Sequence, residues 1–156
     1  MKYLFLFIVC ISFSVHIKAQ CDTSLIGQWK PITIIWEELR FDLKNDSVSI
    51  SREKEVDDTN SSQEDIKREL VQLMFQSFQY IFRKDGSFEV TFIETLKDEG
   101  SYCFNREKGL IITTTKNSLD QPVSDEIKAK LIDDLLYIKI SIDDETLFDL
   151  ILKRKK

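Results

Sequence analysis

The chain has 156 residues, 27 acids against 22 bases for a formal charge of −5, and a 42% hydrophobic share. An acidic domain of that size buries a core without metals or cross-links and is a poor nucleic-acid binder. Its sole histidine, His16, sits in an N-terminal stretch laid out for removal. The remainder has no imidazole for Ser-His-Asp or Cys-His catalysis, a His general base or His-ligated zinc.

Met1 to Gln20 reads as a secretory signal. Lys2 supplies the positive start, Tyr3–Ile11 a short apolar run, Ser12–Lys18 a polar stretch, and Ala19 the expected cleavage point. The run is too short to span a bilayer comfortably, and no second one follows. The expected organisation is a signal peptide over 1–19 and a single domain over 20–156, exported to a periplasm or the exterior. Loss of Lys2 and Lys18 with the leader takes the charge from −5 to −7. Cys21 raises a weaker alternative, lipid anchoring. Lys18-Ala19-Gln20 lacks the aliphatic and small residues that such processing needs before the cysteine. Cys21 and Cys103 remain after cleavage, and an oxidising compartment favours a disulfide between them over two free thiols. Closing so long a loop contributes at most about 4–5 kcal/mol in the chain-entropy view.

Leu25 to Trp36 reads as a first strand, with Gly27 and Pro31 as irregularities suited to a bend. Leu39, Phe41 and Leu43 alternate with polar residues, and Val48 and Ile50 follow the Asn45-Asp46 turn, giving two short strands. Arg52–Asn60 is a charged loop. The period then changes: Ser61-x-x-Glu64 forms a capping box, and Ile66, Leu70, Leu73 and Met74 share a helical face over about 62–76. That face is expected to be core. From Phe78 the period is two again. Phe78, Tyr80 and Phe82 run into the Asp85-Gly86 turn and return as Phe88, Val90 and Phe92. Gly100 opens a strand with Tyr102 and Phe104, and Lys108-Gly109 turns into Leu110–Thr115. Glu126–Ile132, Leu135–Ile142 and Thr146–Lys153 follow, joined by Asp133-Asp134 and Asp143-Asp144. Strands with short turns and exposed edges to hide favour an antiparallel up-and-down β-barrel of about eight strands carrying one inserted α-helix.

Gly27-x-Trp29 on the first strand, Phe82-Arg83-Lys84-Asp85-Gly86-Ser87-Phe88 at a hairpin, Gly100-Ser101-Tyr102 and a last strand ending in Arg154 together resemble the small exported bacterial lipocalin-like (calycin-type) barrels. The resemblance implies that Gly27, Trp29 and Arg154 form a structural plug, with the arginine over the indole. The helix inserted before Phe78 departs from the ordinary lipocalin order.

The inward rings Phe78, Tyr80, Phe82, Phe88, Phe92, Tyr102 and Phe104 either line a cavity for an apolar molecule or fill a narrow barrel. The acidic pairs Asp57-Asp58, Asp133-Asp134 and Asp143-Asp144 have no EF-hand spacing, and the last two sit at expected hairpin turns where Asp is favoured, so no metal is expected. Glu37-Glu38 and Glu94 offer carboxylates, as any acidic surface does, and no catalytic residue, cofactor or enzyme activity is expected. The preferred role is binding a hydrophobic small molecule or lipid in or at the barrel. The alternative is a filled barrel that binds a protein partner or inhibits an enzyme, with no nucleic acid in either case.

Overall fold

The computed structural model describes residues 21–45, 47–50, 61–93, 96–141 and 146–155. The expected export signal over 1–19, the expected loop over 52–60 with Asp57-Asp58, Glu94 and the expected turn at Asp143-Asp144 lie outside these residues.

The described residues form ten strands and one long helix. In chain order they are β1 (Gly27–Trp36), β2 (Leu39–Asp42), β3 (Ser47–Ile50), α1 (Ser61–Phe75), β4 (Gln79–Phe82), β5 (Ser87–Ile93), β6 (Leu96–Asn105), β7 (Leu110–Lys116), β8 (Pro122–Ile132), β9 (Leu135–Ser141) and β10 (Leu147–Arg154). From β4 to β10 each strand pairs antiparallel with the next, and β4 and β10 both pair with β1. Eight strands therefore close into an up-and-down barrel, which leaves no free edge in the ring. β2 and β3 form a hairpin arm outside the ring, carried on the far half of β1.

The ladder explains where that arm departs. β1 pairs with β4 only over Gly27–Trp29 and with β2 only from Thr33 to Trp36. Pro31 lies between, and the β1–β10 register shifts between Pro31 and Thr33. A proline donates nothing to a ladder, so it suits the point at which a strand changes partner. The result is a fork in the barrel wall.

Side chains at every second position fill the interior. Phe148, Leu150 and Leu152 on β10, Leu136, Ile138 and Ile140 on β9, and Phe88 and Val90 on β5 are all buried. One end is closed by a specific set of contacts. A 3₁₀ turn, Thr23–Leu25, precedes β1 and buries Leu25; the Asp22 carboxylate caps it by accepting from the Ser24 amide at 2.6 Å. Trp29 is fully buried, and its indole Nε1 donates to the Leu25 carbonyl at 2.7 Å. Arg154, paired with Trp29 across β1–β10, lies over the indole at 4.6 Å and donates from Nη2 to the Ser24 carbonyl. Gly27 makes room: its φ is +136°, and a Cβ there would stand 3.3 Å from Arg154 Cδ. The dihedral favours glycine, and a Cβ would also press on the arginine stem.

Gly100 answers a second close approach. A Cβ at that position would lie 2.1 Å from the Thr114 carbonyl oxygen, so β6 and β7 meet there only because the side chain is absent. Gly100 does not open its strand; β6 starts at Leu96. Leu96–Glu99 are exposed on β6 and Pro122–Glu126 on β8. Backbone pairing and a few surface contacts, without a buried face, hold those segments, and no hydrophobic period announces them.

Cys21 and Cys103 form a disulfide between positions 82 apart in sequence, with Cα atoms 5.0 Å apart. Beside it the Asp22 amide donates to the Phe104 carbonyl at 2.9 Å, so the segment ahead of β1 is tied to β6 twice.

The helix differs from the sequence expectation in rotation. Ile66, Leu70 and Leu73 are exposed, at 59%, 41% and 67%, whereas Val71 and Phe75 are buried and Met74 is half-buried. Two apolar stripes lie side by side on this helix. The one carrying the larger ring at position 75 wins the contact with the barrel, because an aromatic ring buries more area than any one aliphatic side chain of the other stripe.

Two outcomes follow from this architecture. Trp29→Ala should lower stability by about 3–5 kcal/mol in a denaturant titration, because it empties the plug; a loss below about 1 kcal/mol would contradict that role. Thiol titration of unfolded, unreduced protein starting at Gln20 should find no reactive cysteine, and two reactive thiols would contradict the bridge.

Candidate functional site

The seven inward rings come together with three that the sequence reading did not include, Trp36, Phe75 and Phe148. Phe78, Tyr80, Phe82, Phe88 and Phe104 are buried, and Phe92 and Tyr102 are half-buried against the same core. Toward the Trp29 end, Tyr80 and Phe82, neighbours on one strand face, lie nearly parallel at 5.4 Å. Tyr102 contacts Phe82 at 4.7 Å, and its hydroxyl donates to the Arg83 carbonyl at 3.3 Å. Toward the other end, Phe78 meets Tyr80, Phe92 and Phe75 at 5.4–5.5 Å, and Phe148 meets Phe75 and Trp36 at 5.3–5.4 Å. Most of these contacts are tilted or edge-on, which suits the quadrupoles of the rings.

Two different covers close the two ends. At one, the Trp29 plug is continuous with the ladder. At the other, α1 lies over the rings with Val71 and Phe75 buried and Met74 half-buried. Lys67 adds an electrostatic tether. Its Nζ is 2.5 Å from Glu37 Oε2 and 5.0 Å from the Trp36 ring centroid. Glu37 sits in the β1–β2 turn with φ +55°, which places its carboxylate within reach of the helix. A pair this exposed contributes little stability and mainly sets the orientation of the helix.

The fork at Pro31 opens beside this cover. Lys30, Pro31, Leu43, Phe75, Gln76 and Phe78 border a concavity of about 420 Å³. It reaches two rings of the cluster, Phe75 on the helix and Phe78 at the entry to β4. Pro31 was legible as an irregularity of β1; nothing local in the sequence shows that a helix 40 residues later packs beside it.

Burial, with a smaller effect from the charge of Asp98, pushes the Tyr80 phenol well above the ordinary value of 10.0. Tyr102 is raised by burial and by the charges of Asp85 and Asp22. Both phenols therefore stay neutral in the folded barrel, and the ring cluster contains no carboxylate, amine or thiol. Among the described residues, no three His, Cys, Asp or Glu side chains converge as metal ligands would. The arrangement is suited to dispersion and area burial.

Ionised carboxylates stay on the outer wall. Hydrogen bonds from Ser87 to Asp85, and from Arg83 to Glu89, hold these two carboxyls below their usual range. Lys97 lies 3.6 Å from Glu89, and Glu89 faces Glu99 across β5–β6. Arg83 and Lys97 thus offset a like-charge cross-strand pair that is otherwise destabilising. Among the described residues, no helix is long and apolar enough to cross a membrane.

The raised phenol gives a signed pH dependence. Its contribution is complete below the ordinary value near 10.0 and is lost as pH rises past that value toward the folded one. Denaturant midpoints should fall between pH 9 and pH 11, and Tyr80→Phe should reduce the fall; an equal fall in both proteins would remove Tyr80 as its source.

Comparison of the chain with protein-family models, with curated proteins and with solved structures found no match.

Proposed function

We propose that this is an exported lipocalin-like protein, without catalytic activity, that binds an apolar small molecule at the helix-covered end of the barrel. The carrying observation is the concavity at the Pro31 fork, which leads between the helix and the ring cluster at Phe75 and Phe78. The plugged end is knit into β1 and β10, whereas the helix holds its place chiefly through Val71, Met74 and Phe75. Burying those side chains is worth only a few kcal/mol at about 25 cal/mol per Å² of apolar area, so partial displacement is within reach of a ligand's own burial energy.

In this reading the ligand enters at the fork and takes the place of the Phe75 ring. It then packs on Phe78, Phe92, Phe148 and Trp36. Phe82, Phe88, Tyr102 and Phe104, deeper toward Trp29, form the floor. Selectivity is for shape and apolar area, since the rings present few polar groups. The export signal and the disulfide support a site of action outside the cytoplasm.

Titration of a naphthalene-type fluorescent dye into delipidated protein lacking residues 1–19 tests this. Saturable one-to-one uptake, displaced by fatty acid and accompanied by a change in Trp36 emission, is the expected result. Phe75→Ala should strengthen uptake several-fold and Phe78→Trp should weaken it. A well-folded protein that takes up no dye, with Phe75→Ala equally inert, would favour the close ring packing over the concavity. The barrel would then be a filled scaffold for a protein partner or an inhibitor.

A further inference from the structure

The outer wall carries a second concavity, far from the rings in chemistry. It extends from Arg40 on β2 across β1, β10, β9 and β8 to Lys108 in the β6–β7 turn, with a volume of about 610 Å³. Its cations are Arg40, Lys108, Lys128, Lys130 and Lys139, and its only carboxylate is Asp149. Asp149 lies 3.2 Å from Lys139, and among the described residues none of the other four has an ion-pair partner. On a chain with 27 acids and 22 bases, that concentration of one sign is local and unbalanced.

Register makes the concentration costly to the fold. Ala129 pairs with Ile138, which sets Lys128 and Lys139 side by side on adjacent strands. Lys130 stands two positions along β8 from Lys128. Like charges facing each other across a sheet are destabilising, and nothing in the core requires them on this wall. The floor between the cations is different again. Ile35, Ile151 and Tyr137 are half-buried and point outward there. In the ladder, Ile35 separates Arg40 from Asp149, and Asp149 separates Ile35 from Lys139.

We propose that this groove binds an acidic polypeptide segment whose carboxylates flank a short apolar centre. Arg40 and Lys139 are three strand spacings apart, roughly 14 Å, which about four extended residues span. Carboxylates at one end meet Lys108, Lys128, Lys130 and Lys139, and a carboxylate at the other meets Arg40. The apolar centre covers Ile35, Ile151 and Tyr137. Asp149 lies beneath that centre, where an acid on the partner would be repelled. Sulfated or uronic polysaccharides carry the charge but present no aliphatic side chains to this floor, so peptide is the better complement. The site is on the opposite side of the sheet from the rings and does not depend on what the barrel holds.

The test uses protein beginning at Gln20 and a fluorescein-labelled peptide with two glutamates on each side of Leu-Val-Leu, read by fluorescence anisotropy. Saturable binding that weakens several-fold between 50 and 200 mM salt is expected. Lys128→Glu combined with Lys130→Glu should reduce affinity at least about tenfold, and Lys116→Gln, outside the groove, should leave it unchanged. Lys128→Gln with Lys130→Gln provides a milder variant should the double reversal impair folding, with near-ultraviolet circular dichroism as the check. Absence of binding, equal binding by the groove variants, equal binding of the glutamine version of the peptide, or tighter binding of a hyaluronate octasaccharide would each overturn the assignment. Dye uptake measured on the same samples keeps this result separate from that of the interior site.

Discussion

The contact between Trp29 and Arg154 joins the first strand of the barrel to the last, and most of the architecture depends on it. The indole fills the closed end, its Nε1 satisfies the Leu25 carbonyl, and the guanidinium covers its face while reaching the Ser24 carbonyl. Gly27 is the geometric condition for this arrangement, since any Cβ would press on the arginine stem. The arginine also has a buried Nε without a protein partner. Its position is therefore set by stacking and by one end of the guanidinium, which makes the shape of the indole pocket the determining factor. The disulfide reinforces the same corner by tying the segment ahead of Gly27 to β6.

With one end so fixed, the asymmetry of the molecule follows. The ladder is continuous around the plug and forks at the other end, where Pro31 releases β1 from β4 and passes it to β2. A helix then has to cover rings that no strand can reach. Rings packed edge to face form a firm interior, while the cover rests on two buried side chains, a half-buried methionine and a tether through Lys67. Any exchange of material with the interior is easiest at that cover.

Much of this was legible in the residues. Period-two alternation located β4, β5, β9 and β10, because each has one face in the core, while β7 was visible as a run of strand formers after the Lys108-Gly109 turn. The Asp85-Gly86 turn was visible because Asp85 accepts from Ser87 within the turn itself. The pairing of Cys21 with Cys103 was open between staple and free thiols until the Cα separation of 5.0 Å decided it. What escaped is non-local. The start of β6 at Leu96 has no apolar face to announce it, since its residues are held by backbone pairing with β5. The helix carries two apolar stripes, and the inward one is settled by the fit of the Phe75 ring against Phe78 and Phe148, which come from distant parts of the chain. The cationic groove was invisible because its members come from six separate strands and a turn, spread between positions 35 and 151.

The closing ladder has a kinetic consequence. The hydrogen bond between Arg154 and Ser24 spans 130 positions, so the barrel closes only once β10 meets β1. Contacts of such separation must overcome loop-closure entropy before they return any stabilisation, which slows folding. Until β10 is in place, β1 holds an unpaired edge on that side. Edges of that kind recruit other strands, so β1 is exposed to mispairing until the ring closes.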